Sequence, residues 1–270
     1  LTINASSLTG SSTIQTVAAD KDITVAGAIT NNTDANTLTM MSSRDIIVSA
    51  NISGATGKSL NTNFYANTDN LGAGGYTLSA AVSTFGGNVF VGGGSKDTTS
   101  GCAALYNCIA GYANGDTNSV GGVAITGSIN AAGGNITLNG LGSMTNSTSG
   151  DGIRLTGTGG SVLTTSGTGT MTLNGIATGL HNGIRIDTAN LVAGSGLITL
   201  TGTTSGGALK ADTAVTTIGY KAGTAVTTST SDITITDDSM SLEAGKGLQV
   251  NTRGKLTIQP YGNNFTSLTY

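Results

Sequence analysis

The stretch Ile136-Thr-Leu-Asn-Gly-Leu141 returns as Met171-Thr-Leu-Asn-Gly-Ile176, 35 positions further along the chain. Gly152-Ile-Arg-Leu155 returns as Gly183-Ile-Arg-Ile186 after 31 positions, and Asp22-Ile-Thr-Val25 as Asp45-Ile-Ile-Val48 after 23. Within each copy apolar side chains alternate with others, the period of a strand with one buried face. Similar runs rich in Thr, Ile, Val and Leu recur at Asn88–Val91, Leu197–Leu200, Asp232–Ile235 and Lys255–Ile258, the composition a pleated, half-buried surface favours. No segment carries the i, i+3, i+4 apolar stripe of an amphipathic helix. Strands this short cannot close a core alone, but similar units stacked at about 4.8 Å bury one continuous inner column. The spacings therefore predict an all-β solenoid with coils of roughly 20 residues and turns of variable length, on the order of 13 coils and about 60 Å long. A hairpin sandwich leaves the likeness between the units unexplained.

Composition agrees with stacking. Charged residues make up 9% of the 270, against about 25% in an ordinary domain. In a solenoid a charge repeated at one position faces its own copies in the neighbouring coils, whereas Thr, Ser and Asn form ladders. The 43 glycines suit sharp turns between strands. A net charge of -3 offers no basic footprint for nucleic acid, and no apolar run is long enough for a membrane span. One His, one Glu and one Pro leave little material for acid–base chemistry, so the reading is not an enzyme. The organisation is a single domain over 1–270, with first coils at 1–94, an excursion at 95–121 and the remaining coils at 122–270. Both ends break off in mid-pattern (LTINASS, FTSLTY), which reads as a piece of a longer rod.

The excursion, SKDTTSGCAALYNCIAGYANGDTNSVG from Ser95 to Gly121, holds both cysteines. A local Cys102–Cys108 disulfide, worth about 2.4 kcal/mol on the loop-entropy model, would place the chain in an oxidising, extracellular or periplasmic setting. Two thiols and one distant His do not complete a tetrahedral metal shell. Leu105, Tyr106, Ile109 and Tyr112 are the candidate contact residues of this loop, since tyrosine is favoured at interfaces; the plainer reading is a loop folded back over the solenoid wall.

Arg154 and Arg185 occupy matched repeat positions with Asp151 and Asp187 nearby; an exposed charge pair of small worth outweighs a site for anionic sugars. Asp237, Asp238 and Glu243, followed by Lys246, form the dense carboxylate cluster. A glycoside-cleaving pair about 5–9 Å apart or a structural calcium ion are its functional readings, and neither is preferred, so no catalytic, cofactor or metal residue is assigned. The calcium-binding nonapeptide repeat is missing. His181, in GLHNG, lacks a second His or a nucleophile and reads as a turn residue. Thr-x-Thr occurs at Thr37/Thr39, Thr170/Thr172, Thr199/Thr201 and Thr234/Thr236. Stacked arrays of this kind bind ice in some solenoids, but the uneven spacing favours ordinary strand-forming threonine. Asn-x-Ser/Thr sequons begin at Asn4, Asn31, Asn51, Asn135, Asn146 and Asn264 and permit glycosylation.

The stretches DITVAGAI (Asp22–Ile29), DIIVSANI (Asp45–Ile52), GGNVFVGGG (Gly86–Gly94), GVAITGSINAAGGNITLNGLG (Gly122–Gly142), GTGTMTLNGIA (Gly167–Ala177) and GSGLITLTG (Gly194–Gly202) resemble the filamentous-haemagglutinin-like exoproteins, large bacterial surface adhesins often exported by two-partner secretion. The amino-terminal secretion motifs of that family have no match, so the resemblance is to shaft or body. It implies a right-handed parallel β-helix and a non-catalytic, secreted protein at the bacterial cell surface. Such a protein attaches to a glycan or cell-surface receptor. The alternative is a subunit of an extracellular fibre or biofilm matrix that binds copies of itself end to end; a β-helical polysaccharide lyase or hydrolase ranks third.

Overall fold

Each alternating run becomes a strand, and each strand pairs with its counterpart one coil away. The computed structural model describes residues 1–69, 72–94, 109–115, 121–143, 150–156, 162–177, 181–203, 209–211, 216–221, 226, 228–242, 247–262, 264–265 and 267–269. Among them no helix forms, and strands pair in parallel throughout. Three sheets result. The first runs from Thr2–Ile3 to Ser267–Thr269 in ten strands, the second from Ser6–Leu8 to Leu248–Asn251 in nine. The third runs from Ser12–Gln15 to Leu256–Gln259, with Ala113–Asn114 added beside it. Every third strand in chain order belongs to the same sheet, which is a parallel β-solenoid with three walls.

The sequence repeats are structural registers. Ile136 pairs with Met171 and Leu141 with Ile176; Ile153 pairs with Ile184 and Arg154 with Arg185; Ile23 pairs with Ile46. The expected coil length needs correction. Successive partners in the first sheet are Thr2–Thr24, Ile23–Ile46–Tyr76–Val123–Ile153–Ile184–Leu209–Met240 and Met240–Leu268. Counted on this sheet the coils are 22 to 31 residues long, with one of 47, and counted on the third sheet they reach 35. The described residues build nine coils and the start of a tenth, a rod on the order of 45 Å rather than 60 Å. Loops between the third and first sheets hold most of the extra residues, the longest joining Gly93 to Gly121, and the connection from Gly219 to Ile233, between the second and third sheets, holds others.

The inward residues form apolar columns. Val25, Val48, Leu78, Ile125, Leu155 and Ile186 stack in the first sheet and are fully buried. Leu138, Leu173 and Leu200 do the same in the third. Tyr76 lies inside the core against Phe64, ring centroids 5.1 Å apart, an offset that aromatic pairs favour. At the corner entering the third sheet polar stacking is literal. The Asn61 side-chain oxygen accepts the Asn88 N–H at 2.9 Å, Asn88 accepts from Asn135 at 2.9 Å, and Asn135 accepts from Thr170 at 2.8 Å.

Part of the long excursion is visible. Its return leg, 109–115, presses against the wall: Gly111 donates to the Gly94 carbonyl at 2.9 Å, and Ala113 and Asn114 pair with Gly140 and Leu141. Gly92 and Gly93 make room for it. A Cβ on Gly93 would sit 2.0 Å from the Tyr112 carbonyl oxygen, and one on Gly92 2.4 Å from that of Gly111.

Candidate binding face

The outer surface of the third sheet carries two columns of side chains that the register defines. In the first, Asn63 and Phe90 lead into Thr137, Thr172, Thr199, Thr234 and Thr257, one per coil. The uneven spacing of Thr-x-Thr had argued against an array, yet the threonines of the last five coils stand in register. Loop insertions change the count along the chain without changing the stack. All five are half-buried, as expected for side chains standing on a sheet. Among the described residues no hydrogen bond engages their hydroxyls.

The second column, two residues along each strand, reads Asn139, Asn174, Thr201, Thr236 and Gln259; Tyr65 and Gly92 pair at the same level beyond the return leg. The column's amides bond along it and to the loop above. Asn174 donates to the Asn139 side chain at 2.9 Å, Asn139 to the Gly111 carbonyl at 3.3 Å, and Gln259 to the Thr236 hydroxyl at 3.1 Å. At one end Tyr65 and Phe90 pack with ring centroids 5.2 Å apart. Over the middle, two tyrosines from distant loops converge. Tyr112 from the return leg and Tyr261 from the turn after the last third-sheet strand line a cavity of about 40 Å³ with Asn174, Gly175, Ile176, Thr201 and Thr203. Burial, and the neighbouring Tyr261, push the Tyr112 hydroxyl pKa upward.

The candidate contact loop is therefore seen in part. Tyr112 lies on the wall, and Ile109, whose carbonyl accepts the Tyr112 N–H at 3.2 Å, remains exposed. Cys102, Cys108, Leu105 and Tyr106 lie outside the described residues, and so do Glu243 and Lys246.

Of the carboxylate cluster, Asp237 and Asp238 lie among the described residues and engage different partners. Asp237 points inward and is fully buried. Its Oδ1 accepts the Ser239 N–H at 2.6 Å, while Oδ2 has no hydrogen-bond partner among the described residues. Burial first, and Asp238 beside it, raise its pKa to about 7. Asp238 instead accepts the Gly262 N–H at 2.8 Å.

On the outside of the first sheet Arg154 and Arg185 stack as the repeat implied, and Lys210 follows in register. The pairing differs from the sequence expectation. Asp187 serves both arginines, at 2.7 Å from Arg185 Nε and 3.9 Å from Arg154 Nη2. Asp151 accepts the Asn182 backbone and side-chain N–H groups, both at 2.9 Å. His181 lies in the adjoining turn against Gly150, where a Cβ would come within 2.5 Å of its ring.

A wider cleft of about 480 Å³ opens between Tyr220 and Arg253 at the other end of the molecule. Two of its polar side chains are turned to the wall: Thr252 donates to the Ser231 carbonyl at 2.7 Å and Asn251 to that of Tyr220 at 3.2 Å.

No family model, curated protein or solved structure matches this chain.

Proposed function

We propose that this chain is the body of a secreted, non-catalytic β-helical adhesin of the filamentous-haemagglutinin-like kind, attaching a bacterial surface to a glycan or cell-surface receptor. The observation that carries this reading is the outer face of the third sheet. There a rigid wall presents five stacked threonine hydroxyls beside two convergent tyrosines. A site built on strands holds its geometry better than one built on loops, and attachment needs surface and rigidity rather than a reacting group. Within this reading the coil is right-handed, as parallel crossover connections overwhelmingly are. Cys102 and Cys108 close the outer part of the excursion as a disulfide suited to an oxidising exterior. Attachment of labelled chain to cells and immobilised matrix, saturable and competed by unlabelled chain, tests the proposal; attachment no greater than that of an unrelated solenoid overturns it.

A second reading, a self-assembling fibre subunit, draws on one specific feature. Leu256 and Ile258 continue the apolar columns of Ile233 and Ile235 in register, yet are 43% and 44% exposed. Exposed apolar side chains beside an unpaired strand edge are a surface that another copy can cover. Sedimentation velocity and electron microscopy across a concentration series separate the two readings. Single rods at every concentration favour the adhesin body, and end-to-end filaments favour the fibre.

A further inference from the structure

We propose that the outer face of the third sheet, between Thr137 and Thr257, is a groove that binds a neutral polysaccharide chain lying along the solenoid axis. This rests on the attachment role above and names its ligand class and its place. Three observations converge. The five hydroxyls of the threonine column recur once per coil, at about 4.8 Å, close to the repeat of an extended pyranose chain. They have no partner among the described residues, whereas the neighbouring amides are bonded along their own column, Asn174 to Asn139 and Gln259 to the Thr236 hydroxyl. Each hydroxyl offers one donor and two acceptor lone pairs, the complement of sugar hydroxyls.

Charge is the second observation. Neither column carries a charged residue from Thr137 to Gln259, while cations are stacked on the first sheet instead. A polyanion gains nothing on the third sheet, and an uncharged polyhydroxylated chain loses nothing there. The third is relief. Tyr112 and Tyr261 rise over Asn174 and Thr201, so the surface is a groove with an aromatic wall rather than a plane. Tyr261 is 60% exposed and its ring is open to the CH face of a sugar, the kind of apolar, partly wet contact tyrosine suits. A flat ice lattice has no room for that wall.

The test uses the full chain, with insoluble cellulose, chitin and xylan in sedimentation assays and soluble dextran in affinity electrophoresis. At least one of these is expected to retain the protein. The combined Thr172→Val, Thr199→Val and Thr234→Val variant, which keeps β-branched strand formers, is expected to weaken retention at least ten-fold with an unchanged far-ultraviolet spectrum. Thr24→Val with Thr77→Val, outward on the first sheet, leaves it unchanged. Tyr261→Ala, on a surface turn, weakens it several-fold and serves as the independent probe if the triple variant folds poorly. The proposal falls if none of the four polymers is retained, if the triple variant and Tyr261→Ala both bind as tightly as the parent, or if the face shapes ice crystals and retains no polymer. Cell attachment measured in parallel keeps the two ideas apart. If cells still bind the triple variant fully, the glycan groove is wrong and the adhesin role stands; if the parent binds no cells, the adhesin role itself fails.

Discussion

The Arg44 guanidinium reaches the carboxylate of Asp22, one coil away, donating from Nε and Nη2 at 2.6 and 2.5 Å. Asp22 also accepts the Asp45 N–H at 3.2 Å, and Asp45 in turn accepts the Gly75 N–H at 2.8 Å. Carboxylates thus tie three successive coils at the entry to the first sheet. The Arg44 hydrogen bonds hold the Asp22 pKa below the usual carboxylate value, against the opposing pull of burial. A group with a lowered folded pKa stabilises above its unfolded value, near 4, and loses that contribution as pH falls through the folded one. Arg44→Met is expected to cost about 0.5–1 kcal/mol at neutral pH, since both groups are partly exposed. Urea unfolding at pH 7 and pH 2.5 checks this: the gap between parent and variant closes at the lower pH.

Asp237 carries the opposite sign. Its folded pKa is raised to about 7, so between pH 4 and 7 the native state keeps a proton that the unfolded chain releases, and stability falls as pH rises through that window. Asp237→Asn retains the acceptor for Ser239 and removes the charge. It is expected to raise stability at pH 8.5 by roughly 2–4 kcal/mol, a shift of this size being worth about 1.4 kcal/mol per pH unit, and to change little at pH 4. Equal denaturation midpoints at both pH values would contradict it.

The stacking was legible in the sequence because register depends only on local pattern. The three repeats quoted at the outset are three registers of the sheets, and Arg154 over Arg185 followed directly. What stayed hidden is what depends on loops. A coil length taken from the shortest repeats overstates the number of coils, because the register passes from Tyr76 to Val123 across 47 positions without a break in the stack. For the same reason the threonine column was discounted: Thr172, Thr199 and Thr234 are unevenly spaced along the chain but consecutive in the sheet. Lys210 escaped notice because Leu-Lys-Ala shares only its alternation with Ile-Arg-Ile. The meeting of Tyr112 with Tyr261 had no local signal at all, because it joins two loops far apart in sequence.

Gly93 tests how the excursion is anchored. Its missing side chain leaves room for the Tyr112 carbonyl, and the obstacle is backbone, which cannot rotate aside. Gly93→Ala is expected to displace the return leg while the apolar columns survive. Amide exchange at Ala113 and Asn114 then accelerates at least ten-fold, with a loss of about 1–3 kcal/mol in unfolding free energy. Unchanged protection there would mean that the leg is held from elsewhere.

Leu173 and Thr172 are neighbours in the chain and opposites in the wall. Leu173 is fully buried between Leu138 and Leu200 of the adjacent coils, whereas Thr172 faces outward. Leu173→Ala should cost about 2–5 kcal/mol, and Thr172→Val less than about 0.5 kcal/mol. The solenoid adds a sharper expectation, because each coil contacts mainly its neighbours. Leu138→Ala combined with Leu173→Ala shares one cavity, so the pair departs from additivity by at least about 0.5 kcal/mol. Leu38→Ala, in the same inner wall but coils away, adds to Leu173→Ala within about 0.3–0.5 kcal/mol. Chemical denaturation of the three single and two double variants measures both terms, and strong coupling between Leu38 and Leu173 would show a core that responds as one body rather than coil by coil.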